Sequence, residues 1–188
     1  MEKDASLWQG DDLLEVYDEN GQRLGLARRG ECHGNPALIH RTAHVVVIDG
    51  QGRLLLQKRP AHKDTQPGRW DTAVGGHLDP GEDFEEAARR EMQEEVGIPA
   101  DAPLQYLFDR KIRNDRESED VRVFMTCWTG PFHPSPEEIE ELRFWSLAEL
   151  KQALGTGVLT PSLEEEIRLL EQHCPGIFDA PAAGTGPE

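Results

Sequence analysis

The segment 83–96 is predicted to form an amphipathic helix, and it constrains the fold more than any other part of the chain. No proline or glycine interrupts it, and Gly97 follows in the position that commonly ends a helix. On a helical wheel one stripe is apolar, and such a stripe faces a core. The stripe consists of Phe84, Ala87, Ala88, Met92 and Val96. A helix of this kind needs a sheet or another helix to pack against.

Three glutamates lie on or beside this apolar stripe. Glu91 and Glu95 fall inside it on the wheel, and Glu94 lies just outside. Carboxylates that are close together and partly desolvated raise one another's pKa or destabilise the helix. A bound Mg²⁺ or Mn²⁺ ion resolves both problems, because hard oxygen ligands suit these cations. The wheel alone leaves two interpretations open, a metal site and a solvated acidic face.

The remaining elements predict a mixed sheet with helices around it. Asn20-Gly21 sits between short apolar stretches in residues 12–30, which indicates a hairpin. Residues 42–59 predict a second hairpin, rich enough in Val, Ile and Leu to lie mid-sheet. Further strands are predicted at 70–74, 104–110, 121–128 and 144–145, and further helices at 147–154 and 163–172. Strands and helices mix without regular alternation, which favours one α/β domain.

The two ends of the chain differ from this central part. Residues 1–11 show no periodicity and are predicted to be a loose N-terminal end. Residues 175–188 are rich in Pro, Ala and Gly and are predicted to be disordered. The single domain is therefore expected to span residues 12–174.

Composition excludes several classes of partner. The 188 residues include 36 acidic and 20 basic side chains, a formal net charge of −16. Such a chain repels nucleic acid polymers and anionic membrane surfaces. Its apolar runs are too short to span a bilayer, and its first residues are acidic where a signal peptide would be basic. With three cysteines and no CxxC pair, reduced thiols and a cytoplasmic location are expected.

The helix also completes a pattern of fixed residues. Gly76 is followed after five residues by Glu82, and seven residues later the run 90–98 reads REMQEEVGI. This arrangement fills every fixed position of the Nudix box, so residues 38–173 resemble a Nudix domain. The resemblance implies an α/β/α sandwich with a mixed central sheet and an added N-terminal hairpin. It also implies a metal-dependent hydrolase of diphosphates that are linked to another moiety.

The resemblance further implies a role for each matching residue. The metal ligands would be Glu91, Glu94, Glu95 and the backbone carbonyl of Gly75 or Gly76, with Mg²⁺ or Mn²⁺ as the cation. Arg90 would orient the glutamates, and Glu82 would brace the loop through Arg90. A later loop often supplies an extra base in this family. The candidates for that base are Glu119, Asp120, Glu137 and Glu138, and the choice among them stays open.

Residues 14–77 are also similar to type 1 isopentenyl-diphosphate isomerases, a branch of the same superfamily. The shared features include the VYDENGQRLG opening, the PGRW run and three histidines at matching places. Those histidines are His33, His40 and His77. In the isomerases they bind a metal, so the resemblance implies a second metal site here. Isolated surface or core histidines are the alternative.

Two departures from the isomerases affect the predicted reaction. The isomerases' catalytic cysteine falls on Gly75, which can neither donate nor accept the proton that isomerisation requires. Two downstream glutamates complete the isomerases' metal site, and the sequence places Ser118 and Asp120 there. The complete Nudix box, by contrast, favours hydrolysis.

The sequence therefore predicts a Nudix hydrolase that cleaves a diphosphate bond in a small nucleoside-diphosphate-linked or related molecule by water attack at phosphorus. The alternatives are an isomerase-like enzyme and a non-catalytic nucleotide-sensing module. Lys58 and Arg59 are candidate phosphate contacts, and Trp70 is a candidate for stacking on a base. Solvated strand ends and a core tryptophan are the competing interpretations. A homodimer is consistent with the family, whereas the box does not define the substrate.

Overall fold

The computed structural model describes residues 13–63 and 65–179. The predicted loose end, 1–11, lies outside the described residues, as does 180–188. Residues 175–179, which the sequence assigned to a disordered tail, form turns. Ile177 and Phe178 pack there against a hydrophobic core cluster. Within the described residues, no helix is both long and apolar enough to cross a membrane.

Nine strands and four helices are found in this part of the chain. The strands are β1 (Leu13–Tyr17), β2 (Arg23–Arg28), β3 (Ile39–Ile48), β4 (Leu54–Lys58), β5 (Trp70–Thr72), β6 (Val74–His77), β7 (Gln105–Arg113), β8 (Ser118–Cys127) and β9 (Glu141–Trp145). The helices are α1 (Arg29–Cys32), α2 (Phe84–Val96), α3 (Leu147–Ala153) and α4 (Pro161–His173). The predicted N-terminal hairpin is confirmed, because β1 and β2 pair in antiparallel register.

Strand β3 is the centre of the sheet. It pairs antiparallel with β1, β4 and β6, and parallel with β8 over ten residues, so the sheet is mixed as predicted. Pairing between β3 and β4 is confined to Ile48 and Leu54. The predicted second hairpin therefore diverges directly after its turn. Each strand then pairs over a longer stretch elsewhere, β3 with β8 and β4 with β9.

Side chains of β3 alternate between two cores because successive residues of a strand face opposite sides. Val45 and Val47 lie in the cluster that contains Ala88 and Met92 of α2. Val46 lies in the other cluster, with residues of α3 and α4. Helices thus cover both faces of the sheet, and the predicted α/β/α arrangement is confirmed.

Helix α2 has defined ends, which fix the position of its glutamates. The Asp83 side chain accepts hydrogen bonds from the backbone N–H groups of Glu85 and Glu86 at the N-terminus. Gly97 ends the helix in the left-handed conformation, with φ of 73°. Both ends agree with the sequence prediction.

Strand β6 leads into this helix and borders β3. The sequence predicted a strand that ends at residue 74, but Gly75 and Gly76 also belong to a strand, β6, and pair with His44 and Ala43. Without side chains, the two glycines let neighbouring groups approach the strand closely. The register also sets His77 opposite Thr42, beside the histidine end of β3.

Candidate functional site

One cleft of about 1490 Å³ brings the two predicted sites together. The helix α2 glutamates line one part of it, and histidines from the N-terminal half line another. The residues of these two groups at the cleft surface are Glu91, Glu94, Glu95, His33, His77 and Glu119.

Arg90 holds the acidic part of the cleft together. Its Nε and Nη2 donate to the two carboxylate oxygens of Glu82, each at 2.9 Å. Its Nη1 donates to Glu91 Oε1 at 2.7 Å and to Glu94 Oε2 at 3.3 Å. Its Nη2 also donates to the carbonyl of His77 at 3.0 Å. Arg90 therefore ties two of the helix carboxylates to the end of β6, and Glu82 braces Arg90 from the loop.

The glycines of β6 leave room for the carboxylates of helix α2 to lie directly against the strand. A Cβ atom at Gly76 would collide with the carboxylate of Glu91. The backbone N–H of Gly75 donates to Glu95 Oε2 at 3.0 Å. Only residues without a side chain allow the strand and the helix carboxylates to lie this close.

Burial makes these carboxylates unusually weak acids. Burial raises the pKa of Glu95 to about 8, and the charges of Glu91 and Glu138 add to the rise, against the hydrogen bond from Gly75. Burial also raises the pKa of Glu91. A cation would stabilise the ionised forms, so these groups fit a metal. The oxygens of Glu91, Glu94 and Glu95 do not all lie within 4.8 Å of one another in the described structure. The Glu94 side chain is 61% exposed.

The histidine part of the cleft is more compact. His33, His40, His77 and Glu119 each offer a ligand atom, and all four atoms lie within 4.8 Å of one another. The Nε2 atoms of His33 and His77 are 3.2 Å apart. Glu119 Oε1 lies 3.3 Å from His40 Nε2 and 3.9 Å from His77 Nε2. Three imidazoles and a carboxylate form a donor set suited to a transition metal such as Mn²⁺.

Neighbouring groups orient this histidine cluster. His40 Nδ1 lies 3.3 Å from the carbonyl of Leu38, which leaves Nε2 directed into the cluster. Thr42 Oγ1 donates to Glu119 Oε2 at 3.0 Å. His40 Nε2 is buried and makes no hydrogen bond of good geometry within the described residues, although Glu119 Oε1 lies 3.3 Å away. A buried imidazole nitrogen beside a carboxylate fits a metal ligand.

The protonation states of the histidine cluster also suit a metal. Burial lowers the pKa of His77 to about 3 and lowers the pKa of His33. Burial opposes ionisation of Glu119, but the nearby imidazoles of His40 and His77 hold its pKa at about 2. Neutral imidazoles and an ionised carboxylate are the forms that bind metals.

Comparison with known proteins assigns the fold to a family. Residues 38–165 match the family model for the NUDIX domain. The chain belongs to the Nudix family.

Similar proteins are named either as isopentenyl-diphosphate isomerases or as Nudix hydrolases. An isopentenyl-diphosphate Delta-isomerase of Streptomyces avermitilis is 36% identical over 145 residues, 74% of each chain. An uncharacterized Nudix hydrolase of Yersinia pestis is 35% identical over 144 residues, 72% of this chain and 73% of the relative. The crystal structure of DR0079 from Deinococcus radiodurans superposes with a TM-score of 0.72 at 22% identity and covers 84% of this chain and 98% of its own. The last comparison shows a likeness of fold alone.

One sequence assignment in this Nudix protein was wrong. Ser118 and Asp120 do not complete the histidine cluster, because the Ser118 hydroxyl donates to the carbonyl of Pro36 and Asp120 pairs with Arg113, both at 2.7 Å. Glu119, between them, faces the histidines. Side chains alternate along a strand, so an error of one residue turns the wrong side chain inward.

Glu117 was missed as a neighbour of this cluster. It lines the cleft, and burial and the charge of Glu119 raise its pKa. The signal was present in the sequence, since residues 117 and 119 share one face of an extended segment.

The four candidate bases lie in different parts of the structure. Glu119 belongs to the histidine cluster, and Asp120 lines a different pocket of about 380 Å³. Glu137 is exposed. Glu138 lines the cleft, and its charge contributes to the high pKa of Glu95. Glu138 is thus the candidate that lies nearest the Nudix box.

The three candidate substrate contacts also differ in their surroundings. Arg59 lines the cleft, where its Nε donates to the carbonyl of Thr65 at 3.0 Å. Lys58 instead pairs with Glu140 at 2.7 Å. Trp70 is buried and meets Trp145 edge-on, with ring centroids 5.2 Å apart, so it belongs to the core rather than to a base-stacking surface.

Sequence reasoning gave no signal for one further pair in the cleft. His44 Nδ1 lies 2.7 Å from Glu166 Oε2, although 122 residues separate them. Burial opposes protonation of His44, but Glu166 raises its pKa overall. Only the packing of α4 against the sheet brings the two side chains together.

Proposed function

We propose that this Nudix protein is a metal-dependent hydrolase that cleaves a diphosphate bond in a small nucleoside-diphosphate-linked or related molecule. The attacking water would add to phosphorus. The observation that carries this proposal is the set of contacts through which Arg90 holds Glu91 and Glu94 against the end of β6, with Glu95 on Gly75. The net charge of −16 supports a small substrate rather than a nucleic acid polymer.

The Nudix box residues would bind the cation. Glu91, Glu94, Glu95 and the carbonyl of Gly75 or Gly76 would hold the cation. When bound, Mg²⁺ or Mn²⁺ lowers the pKa of a coordinated water and neutralises charge on the phosphoryl oxygens. Glu95 must first lose the proton that burial favours.

Other cleft residues would complete the reaction. Glu138, which also pairs with Lys63, would accept the proton of the attacking water, and its place in the cleft lining and the effect of its charge on Glu95 support this role. Arg59 would bind a phosphate, which its place in the cleft lining supports. A homodimer stays a prediction, and light scattering after size-exclusion chromatography would test it.

The test is mass spectrometry of a pooled diphosphate panel incubated with the protein and Mg²⁺ or Mn²⁺. We expect depletion of one substrate with matching monophosphate products. If no compound is depleted with either metal, the hydrolase proposal is contradicted. Tight binding without turnover would then favour the nucleotide-sensing module.

An isomerase-like activity is the second candidate. The four-residue histidine cluster and the names of similar proteins favour it. Gly75 opposes it, since a glycine provides no side chain for proton transfer at the position of the isomerases' cysteine. Incubation of isopentenyl diphosphate in deuterated water separates the two reactions. Deuterium in recovered isopentenyl diphosphate would support isomerisation, and isopentenyl monophosphate would support hydrolysis.

A further inference from the structure

His44 lies between the two candidate metal sites. It stands on β3 directly opposite Gly75 of β6, and the N–H of that glycine binds Glu95. His44 therefore borders the Nudix box through a single residue. It also lines the same cleft as Glu119 of the histidine cluster.

A buried carboxylate fixes the orientation of the His44 ring. Glu166 of α4 is 1% exposed and accepts contacts from three strands. These contacts come from His44 Nδ1 at 2.7 Å, Thr72 Oγ1 at 2.5 Å and Arg110 Nη1 at 3.4 Å. A buried charge is costly unless several partners satisfy it, so this carboxylate is held in one place. An imidazole whose Nδ1 faces such a carboxylate presents Nε2 in a fixed direction.

That direction is toward the open side of Gly75. A Cβ atom at residue 75 would lie 3.2 Å from His44 Cδ2 and 3.4 Å from His44 Nε2. A side chain at residue 75 would therefore press on the edge of the ring that faces the cleft. No hydrogen-bond partner for Nε2 is found among residues 13–63 and 65–179. The His44 side chain remains 13% exposed, so a ligand in the cleft can reach it.

We propose that His44 contacts a phosphoryl group of the diphosphate substrate through Nε2, and that Glu166 is its positioning residue. This inference rests on the proposed function. Glu91, Glu95 and Glu119 line the cleft together with basic residues such as Arg59 and Lys63. A phosphoryl group that reaches past the box carboxylates needs a hydrogen-bond donor from the protein. Because His44 Nδ1–H donates to Glu166, Nε2 is a donor only when the ring is an imidazolium, and the buried Glu166 carboxylate 2.7 Å away is the counter-ion for that form.

The first experiment measures binding rather than turnover. Methylenediphosphonate is a diphosphate analogue that is not cleaved, and calorimetry with Mg²⁺ gives its affinity for the wild type and for His44→Leu, which has no side-chain donor. Loss of a hydrogen bond to a charged group predicts an affinity lower by about 10- to 100-fold. His173→Leu is the matched control, because His173 is exposed at the end of α4. Equal affinity of His44→Leu and the wild type, or no binding to the wild type, would overturn the inference.

A second pair of variants tests the positioning role. Glu166→Gln keeps the shape of the side chain but removes the charge that orients His44, so weaker diphosphonate binding is expected. Glu171→Gln is its control on the same helix, since Glu171 forms a surface pair with Lys151 at 3.0 Å. Unchanged affinity in a folded Glu166→Gln protein would remove Glu166 from the proposal.

Gly75→Ala provides a test in which neither His44 nor Glu166 is replaced. The added methyl group should displace the edge of the His44 ring and weaken diphosphonate binding when His44 is present. In a His44→Ala background the same change should cost little, because the ring is gone. Equal losses in both backgrounds would mean that residue 75 acts independently of His44.

These results separate the inference from the hydrolase proposal. If the panel yields a substrate and His44→Leu retains wild-type kcat/KM and affinity, the hydrolase stands and the role of His44 is wrong. If no compound is cleaved but His44→Leu weakens diphosphonate binding, the phosphate contact stands and hydrolysis is wrong.

Discussion

Glu95 and Glu119 line the same cleft and are both largely shielded from solvent, yet their pKa values are shifted in opposite directions. The pKa of Glu95 is raised to about 8, since burial and two neighbouring carboxylates outweigh one backbone N–H. The pKa of Glu119 is lowered to about 2, because imidazoles surround it despite its burial. Burial alone therefore does not set the pKa of a carboxylate, because neighbouring carboxylates raise it further whereas contacts with imidazoles lower it.

The same contrast distinguishes the two candidate metal sites. The histidine cluster already has its four ligand atoms within 4.8 Å and in the protonation states that bind a metal. In the Nudix box Arg90 binds Glu91 and Glu94, the oxygens of Glu91, Glu94 and Glu95 do not all lie within 4.8 Å of one another in the described residues, and burial favours a protonated Glu95. The histidine cluster is therefore the more compact of the two groups of candidate ligands in the described residues.

The largest expected effect is on turnover. Glu95→Gln removes the buried carboxylate of the box, so hydrolysis of the panel substrate should fall by about 1,000-fold or more. Steady-state kinetics measures this. Glu85→Gln, an exposed position on the same helix, should retain wild-type activity. Full activity of Glu95→Gln would show that the box assignment is wrong.

The next effect concerns metal affinity rather than turnover. His77→Gln removes one ligand of the histidine cluster, and affinity for one ion per chain should fall by about 100-fold or more. Titration of the metal-free protein with Co²⁺, followed by visible absorption, measures it. Glu95→Gln should leave this Co²⁺ site intact. If both variants lose the same ion, the two regions form one site.

The opposite pKa shifts predict a pH effect on stability in the metal-free protein. Between pH 6 and 8 the folded state keeps a proton on Glu95 that the unfolded state has released, so stability falls as the pH rises. The fall should exceed that of Glu95→Gln by about 2 kcal/mol. Urea unfolding with a chelator at the two pH values measures it. Equal pH dependence of the two proteins would contradict the high pKa of Glu95.

The smallest effect is expected from a residue behind the cluster. Thr42→Val removes the hydroxyl that donates to Glu119, and Co²⁺ affinity should fall by about 10-fold. Thr126→Val is the control, because the buried hydroxyl of Thr126 has no hydrogen-bond partner in the described structure. A loss as large as that of His77→Gln would mean that Thr42 supports the fold of the cluster rather than tuning one ligand.

Local sequence patterns predicted the Nudix box helix well. The start of the helix at Asp83, its end at Gly97 and the position of Glu91 beside the apolar stripe depend on residues within a few positions of one another. Helical geometry links such positions directly. The assignment of Ser118 and Asp120 by resemblance to the isomerases was wrong by one residue, because the facing of a strand depends on its register with a distant partner.

The sequence by itself determined the box and its helix, since both are a matter of short spacing, and the resemblance to the isomerases singled out the three histidines. Only the tertiary structure decided which groups meet. Parallel pairing of β3 with β8 sets His40 beside Glu119, and antiparallel pairing with β6 sets His44 beside Gly75. Packing of α4 then brings Glu166 to His44 across 122 residues. Such contacts follow from the order and register of strands, which no local pattern encodes.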